Sequence, residues 1–166
     1  MLYQEFLQSK QSQQINYGID IEINQIHSKL YPFQRDIVKW AIHKGRAAIF
    51  LDTGLGKTFI QLEWARLLNQ KTIIIAPLSV TRQTIREGRK IDIDIKYIRS
   101  MDDVNEHQIY ICNYEIIEKI DFSFFGAVVL DESSILKSIS GKTRRYLTGQ
   151  CIKTKYKLCC TDRFQD

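Results

Sequence analysis

The chain has 166 residues, 44% of them hydrophobic and 26% charged, and carries a net charge of +5. That length suits one domain able to bury about 70% of its unfolded surface, and two full domains would not fit; the proportions exclude a disordered or fibrous chain. The excess of 24 Lys and Arg over 19 Asp and Glu makes an anionic partner such as nucleic acid compatible with the sequence without requiring one.

Cys112, Cys151, Cys159 and Cys160 have no paired metal-ligand spacing and no nearby histidine in sequence, so a zinc site is not expected, and Cys159-Cys160 reads as part of a buried strand in a reducing compartment. The first residues, Met1 to Glu5, lack a basic segment followed by an apolar one, and no run approaches membrane-spanning length. The expected location is the cytoplasm of a bacterium or of a phage-infected host cell, with no membrane partner.

Residues 1–30 are rich in Gln, Asn and Ser, and are expected to form an extension of short helix and extended chain laid on the domain proper, residues 31–166. The alternation Ile19, Ile21, Ile23 points to an edge strand or a lid laid on the domain. Pro32 suits the first turn of a helix, on which Phe33, Ile37, Trp40 and Ala41 share a face. Gln34 lies on the polar side of that start. Its amide offers the donor and acceptor that reading an adenine edge requires, although a helical Gln seen alone is usually just solvated.

The apolar run Ala47 to Leu51 then leads into Asp52-Thr53-Gly54-Leu55-Gly56-Lys57-Thr58, and a helical pattern from Phe59 to Leu68 leads out. Two glycines flanking one residue let several backbone N–H groups converge, and the helix N-terminus adds its positive end, which makes a cradle for phosphate. Lys57 can neutralise the outer phosphates while the Thr58 hydroxyl holds a bridging Mg2+. The strict phosphate-loop pattern wants a glycine where this chain has Leu51. The bland alternative is a tight strand-to-helix turn.

Thr72 to Ala76 is a continuous apolar run, the mark of a parallel strand covered on both faces, and Pro77 stops it. Ser79 is expected to cap a helix running to about Glu87, with Arg82 and Arg86 on its exposed side, where they contact a nucleic-acid backbone or merely face solvent. Short strands follow near Asp94–Ile98 and Gln108–Cys112, then Asn113-Tyr114-Glu115 and a brief helix to about Lys119. Ala127 to Leu130 is another buried strand, with Asp131-Glu132-Ser133-Ser134 at its tip. Such carboxylates are often only a solvated loop or a helix cap. Downstream of a phosphate loop they can divide the labour: Asp131 holds the metal and Glu132 orients and deprotonates the attacking water. A helix near Lys142–Thr148 and a strand near Tyr156–Cys160 complete the pattern. Strand, loop and helix recur about five times, which predicts an α/β fold: a mainly parallel sheet, helices on both faces, and strand tips gathered on one edge.

Taken together these segments resemble the first RecA-like lobe of a superfamily 2 helicase, nearest to the Swi/Snf-type DNA translocases and their phage-encoded relatives. Leu30 to Gln34 resembles the family's adenine-reading glutamine motif, Asp52 to Thr58 its motif I, Ala76 to Val80 its motif Ia, Asn113-Tyr114-Glu115 its motif Ib, and Asp131 to Lys137 its motif II. The family tolerates departures at the position of Leu51, whereas Ser134 replaces the histidine more common there. After Thr161 the match stops, so motif III is incomplete and the second lobe of the family is not in these residues. The resemblance implies a P-loop NTPase that binds ATP and Mg2+ through Gln34, Thr53, Gly54, Leu55, Gly56, Lys57, Thr58 and Asp131, with Lys57 and Glu132 catalytic. It also implies DNA held by its backbone, independently of sequence, along Pro77, Arg82, Asn113 and Tyr114. An arginine finger from a second lobe is worth about 10³ to 10⁵ in rate, so the lobe alone is expected to hydrolyse slowly or not at all until a second lobe is supplied in trans. The competing readings are a non-motor nucleotide- or DNA-binding module that regulates a complete helicase, and, more remotely, a small-molecule kinase.

Overall fold

A computed structural model describes residues 16–133 and 140–162. The expectations for residues 1–15, for Ser134 to Lys137 and for the last four residues lie outside these. In chain order the described residues form α1 (Pro32–Lys44), β1 (Arg46–Phe50), α2 (Lys57–Leu68), β2 (Thr72–Ala76), α3 (Leu78–Lys90), β3 (Ile95–Tyr97), β4 (Ile109–Asn113), β5 (Ala127–Leu130), α4 (Gly141–Cys151) and β6 (Tyr156–Thr161). Single 3-10 turns join some of them. The six strands make one sheet in the order β1-β6-β5-β2-β4-β3, and every pairing is parallel. The expected mainly parallel α/β sheet is thus wholly parallel among the described residues.

The apolar runs are continuous because both faces of the sheet are covered. On β2, Ile74 and Ala76 pack with Val38 and Ile42 of α1 and with Ile60, Trp64 and Leu68 of α2. Their neighbours Ile73 and Ile75 point the other way, onto Ile117, Phe122, Phe125 and Leu147 of α4. Val80 and Ile85 of α3 join the first layer. Fully burying one such side chain is worth about 1.5–3 kcal/mol, so the two layers together hold the sheet rigid beneath its loops. Cys112 and Cys160 are buried on strands, and all four thiols are free.

The expected edge strand at Ile19–Ile23 does not form. Ile19 and Ile23 are exposed and only Ile21 is buried, because the backbone here pairs with the end of a helix: Tyr17 N–H donates to Lys44 O at 3.1 Å and Ile19 N–H to Ile42 O at 3.2 Å. Further along, Ile26 and Leu30 enter the core. A buried carboxylate clasps this segment to α2. Glu63 has no exposure, accepts the His27 N–H at 2.7 Å and pairs with Arg66 at 2.6 Å, while Arg66 also donates to Gln25 O at 2.8 Å. Its charge is tolerated there because each oxygen has a donor.

One further boundary differs: α3 begins at Leu78 after Pro77 with no side-chain cap, so Ser79 lies inside the first turn and does not cap it. Among the described residues no helix is long and apolar enough to cross a membrane.

Candidate functional site

With all strands parallel, the loops that leave their carboxyl ends meet on one edge of the sheet. β6 lies between β1 and β5, so the loop after β1, the carboxylates after β5 and the residue after β6 are neighbours. Gly54 and Gly56 both take left-handed backbone, with φ of 86° and 78°. At Gly56 a side chain is also excluded by space, since a Cβ would lie 2.2 Å from Gln34 Nε2. The loop therefore turns tightly enough to start α2 at Lys57, and no side chain caps that helix start, whose first-turn N–H groups have no acceptor within the helix. The Lys57 side chain is 11% exposed. Its ammonium donates to Leu51 O at 2.9 Å and pairs with the carboxylate of Asp162, whose second oxygen accepts the Thr53 hydroxyl at 3.3 Å.

Asp131 is buried, its N–H bound to Ile75 O at 2.8 Å and its Oδ1 accepting the Glu132 N–H at 3.1 Å. Burial pushes its pKa up to about 6, while the Gln61 amide beside it and Lys57 pull in the other direction. That amide is itself fully buried and completes no hydrogen bond among the described residues. Glu132 has φ of 52°, a left-handed conformation that costs a non-glycine residue free energy and is commonest at sites where position matters more than strain. Lys57, Thr58, Asp131 and Glu132 line one cleft of about 370 Å³, whose facing wall is the Val80, Thr84 and Glu87 side of α3. A hard cation fits this donor set: it takes oxygen ligands, and a buried carboxylate that is costly to ionise alone gains from its charge. Thr58 and Asp131 would hold it.

Gln34 is not solvated. It is 4% exposed, accepts the Tyr31 N–H at 2.8 Å and donates to Leu55 O at 3.0 Å, so it braces the start of α1 against the loop. These bonds leave one amide hydrogen and one lone pair unused, but Gln34 is not among the residues that line the cleft. Arg82 is exposed on α3 and Pro77 is half-buried at its start. Asn113 and Tyr114 are both buried, and their side chains are engaged within the fold. Asn113 accepts the Tyr97 hydroxyl at 3.3 Å and donates to Glu115 at 2.6 Å, and Tyr114 donates to Asp131 O at 2.7 Å. A 3-10 turn after β4 folds Tyr114 back under the tip of β5, where burial raises its pKa.

Two residues of the site were not anticipated. Gln61 follows Thr58 by three positions on α2, a spacing that puts both on one helical face and was available as a signal. Asp162 had none, because its nearness to Lys57 depends on β6 lying beside β1.

An all-parallel sheet between helical layers, with a glycine-rich loop and a carboxylate pair on its carboxyl edge, defines an α/β phosphate-loop fold of the RecA type. Solved structures of helicases and of a SWI2/SNF2 ATPase core share this fold. The chain is similar to the T4 UvsW structure, with TM-score 0.75 and 21% identity over 95% of this chain and 39% of that one. It is similar to the Sulfolobus solfataricus SWI2/SNF2 ATPase core in complex with dsDNA, with TM-score 0.71 and 19% identity over 85% and 33%. The Pyrococcus furiosus Hef helicase domain gives TM-score 0.63 and 15% identity over 87% and 34%. At these identities the likeness is one of fold, and the chain spans between a third and two fifths of those three structures. No protein-family model matches the chain, and no curated protein sequence does.

Proposed function

We propose that the chain is the ATP-binding lobe of a DNA-dependent ATPase of the helicase or translocase kind. The observation that carries this is the meeting of Lys57, Thr58, Asp131 and Glu132 in one cleft at the uncapped start of α2. The loop and Lys57 bind the phosphates. Thr58 and Asp131 hold Mg2+, which supplies charge neutralisation across the outer phosphates. Glu132 orients a water at the terminal phosphate and takes its proton, and its left-handed backbone fixes the direction from which it does so. Gln34 reads the adenine edge with its remaining donor and acceptor. A second RecA-like lobe, in trans or in a longer chain, would bring the arginine finger, and without it turnover is slow.

DNA is the favoured polymer, since one structure of the same fold is a complex with dsDNA. Its backbone would run by the start of α3, where Arg82 is exposed, and would be held without regard to sequence. The test is calorimetric binding of ATP with Mg2+ to the wild-type chain and to Lys57→Ala. Loss of binding in the variant is expected, and equal affinity would refute the reading.

A further inference from the structure

Lys57 already has an anion. The Asp162 carboxylate pairs with its ammonium through one oxygen and accepts the Thr53 hydroxyl through the other. Both partners belong to the phosphate loop, and all three residues line the same cleft. A phosphate oxygen entering the cleft would want the same two groups, a cation and a loop donor. The carboxylate is delivered by the sheet: Phe50 is in register with Thr161 on β6, and Leu51 N–H donates to Thr161 O at 3.3 Å. Asp162 follows immediately. Its side chain is 46% exposed, so it can leave Lys57 for solvent without disturbing the core.

We propose that Asp162 is an internal stand-in for the nucleotide's phosphates: its carboxylate holds Lys57 and Thr53 in the nucleotide-free protein, and nucleotide binds by displacing it. This rests on the nucleotide reading of the cleft. Two consequences follow. The loop is kept in its binding shape by a bound anion before the ligand arrives, and the affinity for nucleotide is set below what the loop alone would give.

The experiment is calorimetric titration of the full chain with ADP and with pyrophosphate, each with Mg2+, comparing wild type, Asp162→Asn and Glu87→Gln. Asp162→Asn removes the competing charge and is expected to tighten both ligands about tenfold, the range of a charge-assisted contact at a half-exposed site. Glu87 lines the same cleft but has its recorded contact with Gln83 at 3.0 Å. Removing its charge tests the general field and is expected to change affinity about twofold or less.

Equal affinities of wild type and Asp162→Asn, or a weaker variant, would overturn the proposal while leaving the nucleotide reading intact. An equal gain in Glu87→Gln would overturn it too, since simple repulsion would then suffice. Failure of all variants to bind either ligand sinks the nucleotide reading and the proposal with it. Binding by Asp162→Asn alone would support the displacement in its strongest form. Since Asp162 lies at a strand end, thermal unfolding of the variant should match wild type within a few degrees, which keeps a folding defect from mimicking any of these results.

Discussion

Replacing Asp131 by Asn should stabilise the ligand-free protein while disabling its site. Burial raises the folded-state pKa of Asp131 from an ordinary 3.8 to about 6. At 1.36 kcal/mol per pH unit, that interval corresponds to about 3 kcal/mol. Because the folded value is the higher one, the contribution is fully present below about pH 4 and is lost as the pH rises through 6: above it, the fold must hold a buried carboxylate charged. The amide of Asn carries no charge, and its oxygen can still accept the Glu132 N–H. Urea denaturation in EDTA at a series of pH values is the assay. The variant should be more stable than wild type by up to about 3 kcal/mol at pH 8, less whatever its new NH2 donor loses on burial, and the gap should close towards pH 4. A gap that ignores pH, or a variant less stable at pH 8, would refute the electrostatic account of this strand tip. The same substitution removes the charged ligand proposed for the cation, so Mg2+-dependent nucleotide binding should fall as stability rises.

Arg82→Ala should weaken DNA binding evenly across sequences and lower the salt slope of the affinity by about 1, as measured by fluorescence anisotropy at several salt concentrations. An unchanged slope would remove Arg82 from any DNA contact. Glu63→Ala leaves the Arg66 guanidinium and the His27 N–H without their acceptor, and should cost about 2–3 kcal/mol in urea denaturation, at the low end for a broken buried pair because Arg66 is 36% exposed. A cost below about 1 kcal/mol would show that the N-terminal segment is held by Ile21, Ile26 and Leu30 alone.

How much could be read from the chain depended on the range of the interaction. Thr72–Ala76 and Ala127–Leu130 announce themselves because a strand covered on both faces must be apolar throughout, and both strands end where the pattern ends. The loop from Asp52 to Thr58 is legible because its chemistry is local: glycines, a lysine and a hydroxyl in sequence. Gln34 was placed on a polar face, as helical spacing dictates, but its burial depends on Gly56 leaving room for it, a contact between separate segments. Tyr114 and Asp162 mark the limit. The first is turned inward by a 3-10 turn that no periodicity announces, and the second gains its partner from strand order, which hydrophobic pattern does not encode. Ile19, Ile21 and Ile23 alternate as a strand would, yet the backbone there found acceptors at the end of α1.

The strand order bears on how the protein is made. Among the described residues β1 pairs with β6 alone, Arg46 opposite Lys157 and Phe50 opposite Thr161. During synthesis the phosphate loop therefore leaves the ribosome long before the strand that seats it, and β2, β4 and β5 can zip together while β1 has no sheet neighbour. Closing that last gap joins segments far apart in the chain, which is slow by the entropy of the loop it completes. The cleft thus assembles only after β6 has entered the sheet, and until it does, the edges of β1 and β5 offer unpaired backbone to any other strand.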